Sequence, residues 1–274
     1  MSSEVHSGPA ILLTLALAVL ALAYLRGWYR LQNALPSVLS VWRLAAFMGG
    51  LISLWAAVAS PLGGMDRHLL IAHMAQHLLL MTVAAPLILL GAPAVALLHC
   101  IPQPLVLSLR LFWRYPTVSR IGRMMTHPLL GWLASTATVI GWHVPALFEL
   151  GMQSQGWHEF EHACFLAAGL LFWLPVIQPW PALARWPHWS VPLYLFLATL
   201  PCDALSAFLT LCNRVVYPHY RSAYPFFDTS ALADQECAGA LMWVWVTFAY
   251  LAPAAVVTFR MLSPGRRAAK VEVV

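Results

Sequence analysis

The stretch GGMDRHLLIAHMAQHLLLM, from Gly63 to Met81, combines a long apolar run with ionisable side chains. Its continuation over residues 70–91 is long enough to cross about 30 Å of hydrocarbon as a helix. His73 and His77 are four residues apart, so they share one face of that helix. Ionisable side chains are costly inside a membrane and are usually functional there. The stretch therefore predicts a membrane-spanning helix with a functional site near one end.

The composition of the whole chain supports the same class of protein. Of its 274 residues, 61% are hydrophobic and only 9% are charged, whereas a soluble domain carries about 25% charged residues. We therefore predict an all-α, polytopic membrane protein that forms a single membrane domain over residues 1–274, with the lipid bilayer as its solvent. The net charge of +5 does not indicate a nucleic-acid partner, because the arginines fall in short loops where they set topology.

Seven segments are apolar and long enough to be membrane spans, which predicts a seven-helix bundle. The predicted spans are 8–25, 41–59, 70–91, 129–149, 158–178, 189–211 and 237–259. A proline-interrupted segment, 93–113, lies between the third and fourth spans and is a candidate interfacial or re-entrant segment.

The basic residues favour one orientation of these spans. Twelve of the fifteen Lys and Arg residues fall on one side of the membrane, namely Arg26, Arg30, Arg43, Arg110, Arg114, Arg120, Arg123, Arg185, Arg260, Arg266, Arg267 and Lys270. Only Arg67, Arg214 and Arg221 fall on the other. The richer side is cytoplasmic, so we predict an outer N-terminus and an inner C-terminus. The outer face then carries acidic residues that can attract cations, namely Asp66, Glu149, Glu159, Glu161, Asp228, Asp234 and Glu236.

Five histidines fall at the outer ends of three predicted spans: His73, His77, His143, His158 and His162. Imidazole is a common ligand of transition metals, so we predict one metal site. The spacing from Asp66 to His73, His77 and Met81 is 7, 4 and 4 residues. This spacing places the four residues on one predicted helical face, with Met74 at its border. Thioether sulfur favours Cu(I). The alternative is that the histidines only form hydrogen bonds inside the bundle.

The segment His158–His162 has a second interpretation. It fits both H-E-x-x-H and H-x-x-E-H, which are zinc-peptidase signatures. In that case Glu159 or Glu161 would be the general base of a zinc-dependent membrane hydrolase. Histidines on facing helices are also typical of a haem-binding membrane electron carrier. A further alternative is that His158–His162 is only an acidic helix start, because acidic residues are favoured at any helix N-terminus.

Two further features belong to the outer half of the predicted bundle. Asp203 interrupts the sixth span, where it is a candidate partner of a ligating histidine or a brace within the bundle. Cys212 and Cys237 flank the last outer loop, so we expect them to be close. A disulfide between them is one option in an oxidising compartment.

Three blocks of the sequence carry a resemblance to a known family. HMAQHLLLMTVAAPLILLGAP (73–93), GWHVPALFEL (141–150) and WHEFEHACFLAAGLLFWLPVI (157–177) closely resemble the multi-span CtaG family of bacterial cytochrome c oxidase assembly factors. The resemblance extends over about residues 40–260. It implies a seven-span protein of the bacterial cytoplasmic membrane that is needed to mature haem-copper oxidase, with a proposed role in supplying copper. It also disfavours peptide hydrolysis, which the family is not known for.

The sequence therefore predicts a non-enzymatic copper-delivery protein. The predicted metal ligands are the five clustered histidines, with accessory residues Asp66, Met74, Met81, Glu161 and Asp203. The predicted ion is copper, as Cu(I). The predicted partners are the catalytic subunit of cytochrome c oxidase and other copper chaperones, with transfer by ligand exchange.

Overall fold

The computed structural model describes residues 7–35, 39–60, 62–100, 115–178, 186–187, 189–221 and 229–263. Across these residues the regular structure is helical and contains no strand. The α-helices are α1 Ser7–Leu31, α2 Val41–Val58, α3 Leu62–Met65, α4 Leu70–Leu78, α5 Ala85–Leu90, α6 Pro93–Leu98, α7 Pro116–Met125, α8 Pro128–His143, α9 Pro145–Gln153, α10 Gln155–Ile177, α11 Ser190–Leu211 and α12 Ala231–Leu262. A π-helix, Leu79–Ala84, joins α4 to α5, and a short 3₁₀-helix spans Pro218–Arg221.

Six helical segments within the described residues are long and apolar enough to cross a membrane. They are Gly8–Leu31, Val41–Met65, Leu70–Leu90, Gln155–Ile177, Ser190–Leu211 and Ala231–Leu262. Six of the predicted spans thus correspond to such segments, although α1 continues beyond the predicted end at residue 25 and α12 extends at both ends of the predicted 237–259.

The remaining predicted span, 129–149, is divided in two. Val144 is extended (φ −65°, ψ 124°) between α8 and α9. It precedes Pro145, and a residue before proline is disfavoured in the α conformation. Helix α8 alone has 16 residues, whereas a spanning helix needs about 20. The segment 129–149 is therefore not one continuous helix, and it is not among the six candidate spans of the described residues.

The proline-interrupted segment 93–113 begins as α6. Val95 and Ala96 of α6 are buried in a cluster with Tyr24 of α1 and Phe47 of α2. The Tyr24 hydroxyl also donates a 2.7 Å hydrogen bond to the Gly91 carbonyl. This part of the segment is thus packed against the bundle, and its remainder, from residue 101, lies outside the described residues.

The predicted continuous helical face from Asp66 to Met81 is not formed. Helix α3 ends at Met65, a turn containing Asp66 follows, and α4 begins at Leu70. Beyond Leu78 the chain is a π-helix, whose wider turn shifts the phase of the side chains. The 7, 4, 4 spacing therefore holds as helix geometry only for the His73/His77 pair.

Side chains from two neighbouring helices and from the π-helix itself stabilise this wider turn. The Thr82 hydroxyl donates to the Leu78 carbonyl at 2.6 Å and accepts from the Trp245 indole at 2.8 Å. The Trp173 indole donates to the Met81 carbonyl at 3.0 Å. Gly169 lies so close that a Cβ there would be 2.9 Å from the Met81 Cα atom. These contacts fix the segment that continues the histidine-bearing helix.

The start of α4 is held by the last helix. The Asp234 carboxylate of α12 accepts hydrogen bonds from the backbone amides of Leu70, at 2.6 Å, and of Ile71, at 3.2 Å. The first amides of a helix lack partners within it, so a carboxylate at this position stabilises the helix start. The sequence had suggested that Asp234 is a free carboxylate at the outer face. In the structure it is buried and bonded to the start of α4 instead.

All five cysteines are free thiols, so the bridge considered between Cys212 and Cys237 is not formed. The reason is the orientation of α12. Gln235 donates to the Leu209 carbonyl of α11, and Gly239 packs against Thr210. Gln235 and Gly239 therefore face α11, and Cys237 lies midway between these two residues in the sequence. At about 100° per residue its side chain points away from α11, where it is exposed.

Candidate metal centre

Four histidines from α4 and α10 converge between these two helices. Within each helix the i, i+4 pair has ring centroids 4.3 Å apart, for His73/His77 and for His158/His162. Across the helices the separations are 5.3 Å for His73/His158 and 5.7 Å for His77/His162. All four residues are buried. The two pairs therefore form one cluster, as expected for neighbouring helices with pairs on facing sides.

Glu161 lies within this cluster. Its Oε1 atom is 3.4 Å from Nε2 of His73 and 3.5 Å from Nε2 of His77, and its Oε2 atom is 3.5 Å from Nδ1 of His158. The residue is 1% exposed. Among the described residues, its ion-pair contacts are all with imidazoles and none with Lys or Arg. A buried carboxylate is costly unless a positive charge compensates it.

The cluster contains two overlapping sets of candidate ligand atoms. One is Asp66, His73 and His158, and the other is His73, His77 and Glu161. Within each set the ligand atoms lie within 4.8 Å of one another, and His73 belongs to both. In the described part of the chain, both ring nitrogens of His162 are buried without a hydrogen-bond partner. Buried polar atoms normally have partners, so these two nitrogens are available as ligands, although His162 belongs to neither set.

Asp66 supports the cluster from the turn before α4. Its Oδ2 atom lies 2.6 Å from Nε2 of His158, and its Oδ1 atom accepts from the Arg67 amide at 2.7 Å. The Tyr220 hydroxyl donates to the Asp66 carbonyl at 2.6 Å. Burial by itself would raise the pKa of the Asp66 carboxyl, but the hydrogen bond and charge of His158 more than offset this, so the pKa is lowered. Asp66 is thus an anionic partner that can orient His158.

His143, at the end of α8, belongs to neither of these two sets. Its Nδ1 atom is 2.7 Å from the Val139 carbonyl, and its Nε2 atom is 3.2 Å from the sulfur of Met74. Its own carbonyl accepts from the Tyr217 hydroxyl at 3.2 Å. The structure therefore places His143 next to a thioether, whereas the rings of the other four histidines lie close together between α4 and α10.

The other predicted accessory residues differ in their placement. Met81 lines a small cavity with Met74, His77 and His143. Asp203 belongs to neither candidate ligand set, and its Oδ1 atom has no hydrogen-bond partner among the described residues. Met74, Met81 and Glu161 thus lie near the histidines, whereas no contact connects Asp203 to the cluster within the part described.

Several residues that the sequence did not single out shape the site. Phe165 stacks on His77 with ring centroids 3.8 Å apart, and Phe148 meets His73 edge-on at 5.1 Å. Tyr217 and Tyr220 come from the segment after α11, which is non-helical up to Tyr217. Phe165 follows His162 by three residues, so helical spacing could have found it. No periodicity places the two tyrosines.

A larger cavity of about 640 Å³ borders the cluster on its other side. Leu13 of α1 and Leu54 of α2 line one wall, and Asp66, His158 and His162 line the other. This cavity therefore contacts two of the four clustered histidines, His158 and His162.

A helical protein with six candidate spans and a buried histidine–carboxylate cluster is a polytopic membrane protein with a candidate metal centre. The model of the family described as cytochrome c oxidase caa3 assembly factor (Caa3_CtaG) matches residues 22–263. The chain therefore belongs to this family of cytochrome c oxidase assembly factors, as the resemblance predicted.

The chain is also similar to curated proteins of mycobacteria. It is 26% identical over 235 residues to an uncharacterized protein of Mycobacterium bovis, covering 82% of this chain and 34% of that protein. It is 24% identical over 235 residues to an uncharacterized protein of Mycobacterium leprae, of which 35% is covered. The chain thus spans about a third of the length of the curated relatives it matches. No solved structure matches the chain.

Proposed function

We propose that this protein binds copper between α4 and α10 and delivers it to the catalytic subunit of a haem-copper cytochrome c oxidase. Membership of the oxidase assembly factor family supports the role in assembly. The observation that carries the metal proposal is the Glu161 carboxylate, which is buried among His73, His77 and His158 without a Lys or Arg partner in the described residues. A bound cation would compensate that charge and take the unpartnered ring nitrogens as ligands.

The ligand set suits a protein that must release its metal. Imidazole and carboxylate bind copper, but a site without thiolate holds Cu(I) less firmly than a cysteine site does. The ion in this proposal is Cu(I), because Met74 and Met81 line one cavity with His77 and His143, and the Met74 sulfur lies 3.2 Å from Nε2 of His143. Delivery is ligand exchange, either directly with the oxidase subunit or through other copper chaperones, and requires no covalent step.

The proposed topology has seven crossings, an outer N-terminus and an inner C-terminus in the bacterial cytoplasmic membrane. The fourth crossing is made by α8 and α9 together, and the basic residues supply the orientation. The cluster then lies at the outer face. Alkaline phosphatase fused between α11 and α12 should be active, and fused after Val274 it should be inactive. The reverse pattern would move the cluster to the cytoplasmic face and contradict delivery from outside.

A zinc hydrolase is the competing function, because two histidines and one glutamate also form catalytic zinc sites. Such an enzyme needs a general base beside the metal-bound water. Glu159, one candidate base, is exposed and accepts a 3.0 Å hydrogen bond from Gln155. Glu161, the other, is itself within the ligand set. These placements favour a binding site over a hydrolytic one.

The direct test is metal analysis of protein purified without a histidine tag. The wild-type protein should bind copper. The copper affinity should be much lower in His73→Ala, which removes the residue shared by both candidate ligand sets. His68→Ala, which alters an exposed histidine before α4, is the matched control. Cells carrying His73→Ala should assemble an oxidase with haem but depleted of copper. Unchanged copper affinity in His73→Ala, or a Soret band in the purified protein, would contradict the proposal.

A further inference from the structure

His143 has an unusual environment for a histidine that only packs. A carbonyl oxygen can only accept, so the 2.7 Å contact with the Val139 carbonyl requires the proton to be on Nδ1. In the neutral ring, Nε2 then carries a lone pair. That lone pair lies 3.2 Å from the Met74 sulfur, which is also an acceptor without a proton. Two such atoms facing each other in a buried position have no mutual hydrogen bond.

Ordinary packing does not explain this geometry. Sulfur–aromatic contacts usually place the sulfur about 5 Å from the ring, whereas here the sulfur approaches a ring nitrogen. A metal-ligating histidine usually donates its other N–H to a carbonyl or carboxylate, which fixes the ring. The contact of His143 with Val139 has that form, and the Tyr217 hydroxyl holds the His143 backbone from the other side.

There is also space beside this pair. Met74, Met81, His77 and His143 line a cavity of about 30 Å³, and about 10–15 Å³ is sufficient for a water molecule. Met74 and Met81 are 1% and 4% exposed. The carboxylates of the neighbouring cluster, Asp66 and Glu161, do not line this cavity. The Cys202 thiol lines the same cavity, and a confined set of sulfur and imidazole groups without a carboxylate is selective for a soft monovalent ion.

We propose that Met74, Met81 and His143 form a second metal site, specific for Cu(I), beside the histidine–carboxylate cluster. His77 lines this cavity and belongs to one ligand set of the cluster, so it connects the two sites. The cluster receives the ion, and the thioether site retains it as Cu(I) before delivery. This inference rests on the proposed function for the identity of the ion, but it makes a separate claim about sulfur ligation.

The experiment uses Ag(I), a soft monovalent ion, and Zn(II), which prefers nitrogen and oxygen ligands. Titration of the purified full-length protein in detergent should give two equivalents of Ag(I), and Zn(II) should occupy only the cluster. The double variant Met74→Leu/Met81→Leu should lose one Ag(I) equivalent and keep its Zn(II). Met152→Leu replaces another buried methionine, one that lines neither cavity, and should retain both Ag(I) equivalents.

X-ray absorption of the Cu(I)-loaded protein detects sulfur ligands directly. Sulfur scattering should be present in the wild type and lost in the double variant. Copper bound with only nitrogen and oxygen neighbours, or an unchanged Ag(I) stoichiometry in a folded double variant, would overturn the second site while leaving the cluster intact. If neither Zn(II) nor copper binds to the cluster but sulfur-ligated Cu(I) is present, the proposed function fails and the thioether site stands.

Discussion

The Nε2 atom of His158 lies 2.6 Å from the Oδ2 atom of Asp66. Asp66 comes from the turn before α4, and His158 lies in the first turns of α10. The contact therefore connects the two elements that carry the candidate ligands. It also brings a second carboxylate close to the one supplied by Glu161. The cluster thus contains two buried carboxylates and four imidazoles within the described residues, a composition that favours a bound cation.

Asp66→Asn tests this connection. The amide keeps the shape of the side chain but removes the charge that orients His158, so copper affinity should fall by about 10–100-fold, as for other partners of ligating histidines. Competition with a chromophoric Cu(I) chelator measures the change. Asp203→Asn is the control, because Asp203 lies outside both ligand sets, and it should bind copper like the wild type. Equal losses in the two variants would contradict the orienting role of Asp66.

Glu161→Gln should separate protein stability from metal binding. Without metal, the variant no longer buries a carboxylate, so its melting temperature should equal or exceed that of the wild type. Added copper should raise the melting temperature of the wild type, since ligand at 100 times Kd stabilises by about 2.7 kcal/mol. It should have little effect on the variant.

Thermal unfolding in detergent, with and without copper, measures both effects of Glu161→Gln. Glu159→Gln alters the exposed neighbour of the same helix and should behave like the wild type. A Glu161→Gln variant that gains as much from copper as the wild type would exclude the carboxylate as a ligand.

Gly151→Ala should disturb the site without changing any ligand. A Cβ at Gly151 would lie 2.8 Å from the Oε2 atom of Glu161, so the flexible carboxylate must move. Copper affinity should decrease, while the melting temperature of the metal-free protein should change little. Gly156→Ala is the matched control, because a Cβ there meets no atom within 4 Å. If both alanine variants bind copper equally well, the position of the Glu161 carboxylate is not critical.

Asp234→Ala should destabilise α4. The side chain accepts from two backbone amides at the start of this helix, and loss of a helix cap costs about 0.5–2 kcal/mol. The free energy of unfolding should decrease by that amount, and copper affinity should fall although no ligand is removed. Glu236→Gln, in the same turn of α12, should leave both quantities unchanged. A fully stable Asp234→Ala variant would show that α4 does not depend on this cap.

The sequence predicted the parts of the site that depend on local helix geometry. The i, i+4 spacing of His73/His77 and of His158/His162 needs only a regular helix, and both pairs are present in the structure. The family was also predicted correctly from the blocks around these residues. The positions of Asp66 and Met81 were predicted near the histidines, but for the wrong reason, since a turn and a π-helix interrupt the assumed helix.

The features that the sequence did not predict depend on contacts between distant segments. The placement of His143 next to Met74 brings together residues that are 69 apart in the chain. The central placement of Glu161 between two helices depends on how α4 and α10 pack. The break at Val144 is different, because it is local and follows from the proline at the next position. Hydrophobic periodicity identifies the spans but does not specify which side chains meet across them.

The bond between Asp234 and the start of α4 has a consequence for biosynthesis. Asp234 follows Leu70 by 164 residues, so the ribosome synthesises both histidine pairs well before the carboxylate that caps the first helix of the pair. A nascent chain that ends before α12 contains every candidate ligand but lacks this cap. The first amides of α4 therefore gain this partner only when the last helix has been synthesised and packed against the bundle.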